Sequence, residues 1–271
     1  YPIPMEKKAK IIATLGPAIL KENILRKAIN QGVDAFRVNF SHETKNLGKI
    51  IKKIRSLEIK TKKRIALIAD LQGVKLRIGK FKNGAETIRK DQIFIFDLEN
   101  KLGNNKRVCL PYPKLFKKLR RNHIILIDDG RYAFKVLSKT SKIIKTKCLS
   151  QNFKIKDRKS IHVKNINLPF RNLTTKDKKD IKTAKKLGFN WIALSYLQDE
   201  KIVYQAKRLA GKNIGIISKI ENKIALKNIN GIILSSDAIM IARGDLAIDV
   251  GHSEVPKIQL DLIKKCNQFS K

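Results

Sequence analysis

Residues 191–222 read WIALSYLQDEKIVYQAKRLAGKNIGIISKIEN, and this stretch decides the fold class. A short apolar run at 191–196 is followed by a segment at 198–210 whose apolar residues keep helical spacing, and then by a second apolar run at 215–220. Runs this short and continuous suit strands covered on both faces. Strand, helix and strand within about thirty residues make the parallel βαβ unit.

The alternation continues in both directions. Strand-like runs stand at 11–15, 35–40, 65–71 and 238–242, and amphipathic segments at 20–30, 47–57, 174–187 and 255–269 fill most of the gaps. Thr174, three residues ahead of Asp177, is an N-cap signal with an acidic first turn. Between about Lys75 and about Lys164 the pattern changes. Short strands at 92–96, 124–127, 132–137 and 143–148 are joined by turn signals such as Asn83-Gly84, Gly103-Asn104 and Asp128-Asp129-Gly130. The expected layout is six parallel strands with helices, carrying a small β-domain inserted after the third. A (β/α) barrel closes at eight strands, so six make either an open α/β sheet or a barrel cut short. The chain stops at Ser270-Lys271, directly after a helical segment.

Composition excludes several classes. The 271 residues hold 60 Lys plus Arg against 23 Asp plus Glu, a net charge of +37. Lysine outnumbers arginine 46 to 14, is spread over the whole length, and is accompanied by many Ile and Asn. A nucleic-acid surface clusters its cations, favours Arg and interleaves aromatics. Uniform Lys, Ile and Asn instead match the coding bias of an A/T-rich genome, so no specific nucleic-acid partner is expected. Apolar residues reach 42%, enough for a packed core. No run approaches the ~18 apolar residues of a membrane span, and no signal peptide opens the chain. Cys109, Cys148 and Cys266 show no C-x-x-C spacing, which suits a reducing cytoplasm. Tyr1-Pro2-Ile3-Pro4 ahead of Met5 read as a tag remnant or an upstream frame.

Chemistry collects where the strands end. In Arg37-Val38-Asn39-Phe40-Ser41-His42, strand alternation puts Arg37, Asn39 and Ser41 on one face. Lys219 and Glu221 share a face in 217–222, the sixth strand runs out at Ala242-Arg243-Gly244-Asp245, and Asp70 closes the third with Lys75 and Arg77 just beyond. Ligands sit at the carboxyl ends of parallel strands. Carboxylates among several cations suit a divalent metal together with phosphate oxygens. Any one of these residues alone would be read as structural; their shared position is what points to a site.

These motifs resemble the pyruvate kinase family. KIIATLGP at 10–17 is similar to its opening strand, RVNFSH at 37–42 to its R-x-N-F-S-H motif, and 70–77 to its third-strand signature. Asp128-Asp129-Gly130 resembles a turn of its lid domain, and Asn167-Leu168-Pro169 its return into the barrel. ISKIEN at 217–222 and MIARGDL at 240–246 are the most specific matches. The resemblance runs from about Lys7 to the last residue. It departs at Val74, where proline is usual, at Phe170, where glycine is usual, and at Gln198, where arginine is common. It also lacks the family's seventh strand with its A-T-Q-M-L motif, the eighth strand and the C-terminal regulatory domain.

The resemblance implies an α/β fold: an incomplete (β/α)8 TIM barrel of six parallel strands, formed by residues 1–74 and 166–271, with an inserted small all-β barrel, the lid, at 75–165. It implies phosphoryl transfer from phosphoenolpyruvate to ADP, giving pyruvate and ATP, the last step of glycolysis. Arg37 and Lys219 would be catalytic and substrate-binding, and Ala242, Arg243, Gly244 and Asp245 would complete the substrate site. Asn39, His42 and Arg77 would face the nucleotide, and Glu221 and Asp245 would hold Mg²⁺ or Mn²⁺. Members that need K⁺ place it among residues like Asn39, Ser41 and Asp70, with a threonine after the aspartate and a glutamate further on. Here Leu71 and Lys75 stand in those places, as in the family's K⁺-independent branch. Two unit positive charges ~4 Å apart repel by roughly 4 kcal/mol at an effective dielectric of ~20. Lys75 is therefore expected to replace the ion. The expected setting is cytoplasmic, without a membrane, and the full-length form is expected to be a homo-oligomer. With the barrel open and the A-T-Q-M-L threonine missing, the 271-residue chain is expected to be inactive on its own. Competing readings are a non-catalytic kinase fragment, a metal-dependent lyase acting on related acids, and a basic polyanion-binding protein.

Overall fold

A computed structural model describes residues 9–41, 46–163, 166 and 172–271. The chain opens with β1 (Ile12–Thr14), α1 (Glu22–Asn30), β2 (Ala35–Asn39), α2 (Leu47–Thr61) and β3 (Ala66–Asp70). An inserted segment follows with β4 (Ala85–Ile88), β5 (Ile93–Asp97), β6 (Arg107–Cys109), the short helix α3 (Pro113–Lys118), β7 (Ile124–Ile127), β8 (Tyr132–Lys139), β9 (Ile143–Cys148), β10 (Phe153–Lys156) and β11 (Ile161–Val163). The alternation then resumes with α4 (Thr175–Lys186), β12 (Trp191–Leu194), α5 (Glu200–Ala210), β13 (Gly215–Ile220), α6 (Lys223–Lys227), α7 (Ile229–Ser235), β14 (Ala238–Ile241), α8 (Arg243–Val250) and α9 (Val255–Gln268).

The βα parts build one parallel sheet of six strands in the order β1-β2-β3-β12-β13-β14, curled into a half-barrel. Alternation along each strand divides its side chains between two cores. Phe36, Val38, Leu67, Ala69, Ile192, Leu194, Ile216 and Ile220 face the helices and join the large outer cluster. Ala35, Ile68, Ala193 and Ile217 face inward, with Ala66, Trp191, Ala238 and Met240 packed beside them. The inward positions that follow in each strand are Arg37 and Asn39, Asp70, Ser195, and Lys219 and Glu221. The barrel interior is thus apolar at one end and polar at the other. β1 and β14 are the two edges, and Ile11 and Ile12 remain 46% and 48% exposed.

The insertion has its own core, built around Phe94, Phe96, Phe116 and Phe134. Its main sheet runs β11-β7-β8-β9-β5-β6, and β10 pairs with β4 in a second small sheet. Arg107 makes a bidentate pair with the buried Asp97 and anchors the loop before β6. The turn between β7 and β8 is Asp128-Asp129-Gly130, all three at positive φ, as its sequence suggests.

Several elements differ from the sequence expectation. The fourth parallel strand stops at Leu194 rather than at residue 196, because Tyr196 takes a left-handed backbone with φ of +55°. Helices α3, α6, α7 and α8 are short and lack a long apolar stripe, so periodicity does not announce them. The expected cap of α4 is present: the Thr174 hydroxyl accepts from the Asp177 N–H, and the Asp177 side chain accepts in return. The return segment 167–170 and His42 lie outside the described residues. Among the described residues no helix is long and apolar enough to cross a membrane.

Gly73, where the chain leaves β3 for the insertion, is fixed by geometry. Its φ is +61°, its N–H donates to Asp177, and a Cβ there would stand 2.2 Å from the Ser195 carbonyl oxygen. Gly84 has a similar φ of +71° but open space around it. Gly84→Ala should therefore cost about 1 kcal/mol of strain, and Gly73→Ala about 2–4 kcal/mol from strain plus overpacking. Urea unfolding of the two variants side by side checks the difference.

Candidate active site

A cavity of about 500 Å³ opens at the carboxyl ends of the parallel strands. Every site residue expected from the sequence and described in the structure lines it: Arg37, Asn39, Ser41, Asp70, Lys75, Arg77, Lys219, Glu221, Ala242, Arg243, Gly244 and Asp245. The ends of five strands, β2, β3, β12, β13 and β14, meet there because each presents its carboxyl-terminal positions to the same volume.

Lys219 is the centre. Its ammonium, only 8% exposed with the rest of the residue, donates to Asp70 Oδ1 at 3.0 Å and to Ser195 Oγ at 2.8 Å, and lies 3.0 Å from Glu221 Oε1. Burial works against its charge, but the carboxylates of Glu221 and Asp70 outweigh that and hold Lys219 above the usual lysine range. Arg37 Nη1 lies 3.7 Å from Asp70 Oδ2, and its buried Nε has no hydrogen-bond partner among the described residues. Arg37 lines the cavity, which can hold an anion.

Glu221 is 2% exposed. Burial pushes its carboxyl up to about 7, with the Asp245 charge adding to the rise and Lys219 opposing it. Oε2 accepts the Tyr196 backbone N–H at 2.5 Å. Oε1 has the Lys219 ion pair but no hydrogen bond of proper geometry. Asp245, in the first turn of α8, accepts the Tyr196 hydroxyl at 2.7 Å and lies 3.3 Å from Lys75 Nζ, both on Oδ1. A buried carboxylate with an open lone pair beside a second, half-exposed carboxylate fits a hard divalent cation. Such an ion is commonly held by one or two carboxylates and completes its shell with water and substrate oxygens. No group of three or more His, Cys, Asp or Glu gathers among the described residues.

Lys75 is not a solvated lysine. Its ammonium bridges Asp245 and, at 2.9 Å, Asp129 of the insertion. Burial would raise the Asp129 carboxyl, but hydrogen bonds from Lys75 and Ser160 hold it below the usual range. Leu71 points the other way, into the outer core, as strand alternation after an inward Asp70 requires. Arg77 is tied to the insertion: Nη1 donates to the Arg158 carbonyl and its backbone N–H to the Tyr112 hydroxyl. The Asn39 side chain accepts the Ser41 N–H and shapes the turn after β2. Helix α8 starts at Arg243 with no side-chain cap, so its first N–H groups are left for a ligand or water.

Sequence reasoning missed three residues of the cavity wall. Ser195 could have been found, since it continues the inward parity of Ala193. Asp129 was visible only as part of a turn. Tyr196 could not be placed, because its left-handed backbone breaks the alternation.

Fold and site together define part of a (β/α) barrel with an inserted β unit and a strand-end cavity rich in cations and carboxylates. The family model described as "Pyruvate kinase, barrel domain" matches residues 6–271. A pyruvate kinase of Buchnera aphidicola subsp. Schizaphis graminum is 39% identical over 274 residues, covering 98% of this chain and 57% of the relative. One from Agrobacterium vitis is 36% identical over 271 residues, covering 99% and 57%. Among solved structures, a pyruvate kinase from Cryptosporidium parvum superimposes with a TM-score of 0.87 at 28% identity, over 96% of this chain and 56% of that one. The chain belongs to the pyruvate kinase family. It spans a little over half the length of these curated relatives.

Proposed function

We propose that this chain carries the site at which a phosphoryl group passes from phosphoenolpyruvate to ADP, giving pyruvate and ATP. The observation that carries the reading is the convergence of Arg37, Lys219, Glu221 and Asp245 on one strand-end cavity beside the uncapped start of α8. Catalysis of this kind is mostly positioning and electrostatic stabilisation.

Arg37 grips the phosphoryl oxygens. When the bridging P–O bond breaks and a bond to the ADP β-phosphate forms, negative charge develops on the enolate oxygen. Lys219 holds a fixed ammonium where that charge appears, so little has to reorganise. A proton then adds at the methylene carbon to give pyruvate. The N–H groups of Arg243, Gly244 and Asp245 hold the substrate carboxylate. Asn39, Arg77 and His42 face the nucleotide. Glu221 and Asp245 would hold Mg²⁺ or Mn²⁺, which would supply charge neutralisation for the substrate oxygens.

Lys75 supplies the positive charge that other members of the family take from K⁺, so the protein works without that ion. Residues 75–165 act as a lid over the barrel parts 1–74 and 166–271, with Lys75 and Asp129 joining the two. A cytoplasmic enzyme that assembles as a homo-oligomer in its full-length form fits this reading.

The direct test is ATP formation from phosphoenolpyruvate and ADP. The full-length gene product should turn over readily. Residues 1–271 on their own should show little or no turnover, because the half-barrel leaves β1 and β14 unpaired. Absence of turnover in the first would refute the function, and ready turnover in the second would refute the requirement for a closed sheet.

A further inference from the structure

Tyr196 touches both carboxylates of the candidate cation site, and it does so with two different groups. Its hydroxyl donates to Asp245 Oδ1 at 2.7 Å, and its backbone N–H donates to Glu221 Oε2 at 2.5 Å. We propose that Tyr196 is a positioning residue for the divalent cation: it occupies one oxygen of each carboxylate and so leaves Asp245 Oδ2, and Glu221 Oε1 beside the Lys219 ammonium, to the metal. The proposal rests on the reading of Glu221 and Asp245 as cation ligands.

Three observations support it. The first is backbone strain. A left-handed aromatic residue is uncommon and costs roughly 1–2 kcal/mol. At φ of +55° the N–H of Tyr196 turns toward Glu221 while the side chain reaches Asp245. The neighbouring backbone is held in that shape by Gly73, which packs against the Ser195 carbonyl with no room for a Cβ.

The second is what the two contacts leave open. Glu221 is buried, its Oε2 is taken by the Tyr196 N–H, and Oε1 is left without a hydrogen bond.

The third is competition. Lys75 Nζ lies 3.3 Å from the same Asp245 Oδ1 that the hydroxyl occupies, and 5.8 Å from the centre of the Tyr196 ring. With the hydroxyl in place, Asp245 is oriented and Lys75 shares only one of its oxygens. Without it, the carboxylate is free to rotate onto the ammonium and pair through both oxygens, which withdraws it from the metal.

Tyr196→Phe keeps the ring and deletes only the hydroxyl. The measurement is titration of residues 1–271 with Mn²⁺ alone, following the EPR signal of the free ion, with thermal unfolding run in parallel. Glu221→Gln and Asp245→Asn should abolish specific binding. Tyr196→Phe should weaken it about tenfold, the equivalent of one hydrogen bond to a charged group, with an unfolding midpoint close to wild type. The effect of Tyr196→Phe measured again in a Lys75→Met background should shrink to about threefold or less, as expected for coupled neighbours.

Wild-type affinity in Tyr196→Phe, together with loss in the two carboxylate variants, overturns the role of Tyr196 and leaves the cation site standing. Wild-type affinity in all three single variants overturns the site itself. An undiminished tenfold effect in the Lys75→Met background overturns the competition between Lys75 and the metal.

Discussion

Lys219→Met in the full-length gene product should lower kcat for pyruvate formation by about a thousandfold or more. Deleting one preorganised donor to a developing oxyanion typically costs 10²–10³ in kcat. Lys219 contributes more than a neutral donor, because its charge is fixed by Asp70, Glu221 and Ser195 and lies largely out of water. The variant also strips the counter-ion from a carboxylate that is 2% exposed, so some stability will be lost. Two further readouts separate chemistry from folding. Mn²⁺ binding should persist or strengthen, since a competing cation next to Glu221 has gone. Lys219→Arg, which keeps the charge but not the point geometry, should recover stability and little of the rate. A kcat within tenfold of wild type in a folded Lys219→Met protein would remove Lys219 from the reaction.

The second large effect concerns monovalent cations. In a K⁺-free tetramethylammonium buffer the wild-type full-length gene product should be fully active, with no more than marginal stimulation by added K⁺. Lys75→Glu should lose about a hundredfold in that buffer and regain a large part when K⁺ is supplied. Lys75 sits between Asp129 at 2.9 Å and Asp245 at 3.3 Å. A carboxylate in its place would face two others and would need a cation to keep the group together. Leu71 belongs to the outer core, so the residue after Asp70 bears on this site through its backbone rather than its side chain. That shifts the weight of the expectation onto Lys75. Strong K⁺ activation of the wild type would contradict it, as would a Lys75→Glu protein indifferent to K⁺.

How far the sequence reveals this protein depends on which physical rule governs each residue. Strand parity does most of the work. Arg37 with Asn39, and Lys219 with Glu221, are two residues apart in strands, and an odd polar pair on one face is visible before any coordinates. Asp70 closes a strand and needs no further rule. The β insertion is legible from its turns, because Asn-Gly and Asp-Asp-Gly demand positive φ where strands cannot continue. Rules fail where long-range contacts override local preference. Tyr196 reads as one more apolar residue of a strand, yet its backbone is turned by contacts to Gly73 and Glu221, which are distant in sequence. Lys75 is marked by its place after Asp70, but its two carboxylate partners, Asp129 and Asp245, are distant in sequence and cannot be read there. The partnership of Asp129 with Lys75 is equally invisible, since a turn aspartate satisfies its local role without it.

One feature of the half-barrel bears on how such a gene can change. Each site side chain at a strand end shares odd or even parity with an apolar inward residue earlier in the same strand, as Arg37 does with Ala35 and Lys219 with Ile217. A substitution at an outward position disturbs one packing contact. Loss of a single codon early in a strand turns over everything downstream to the strand's end: the ammonium of Lys219 would enter the aliphatic layer against the helices, and Ile220 would take its place in the cavity. The strands that carry the site therefore admit drift in spelling but not in length.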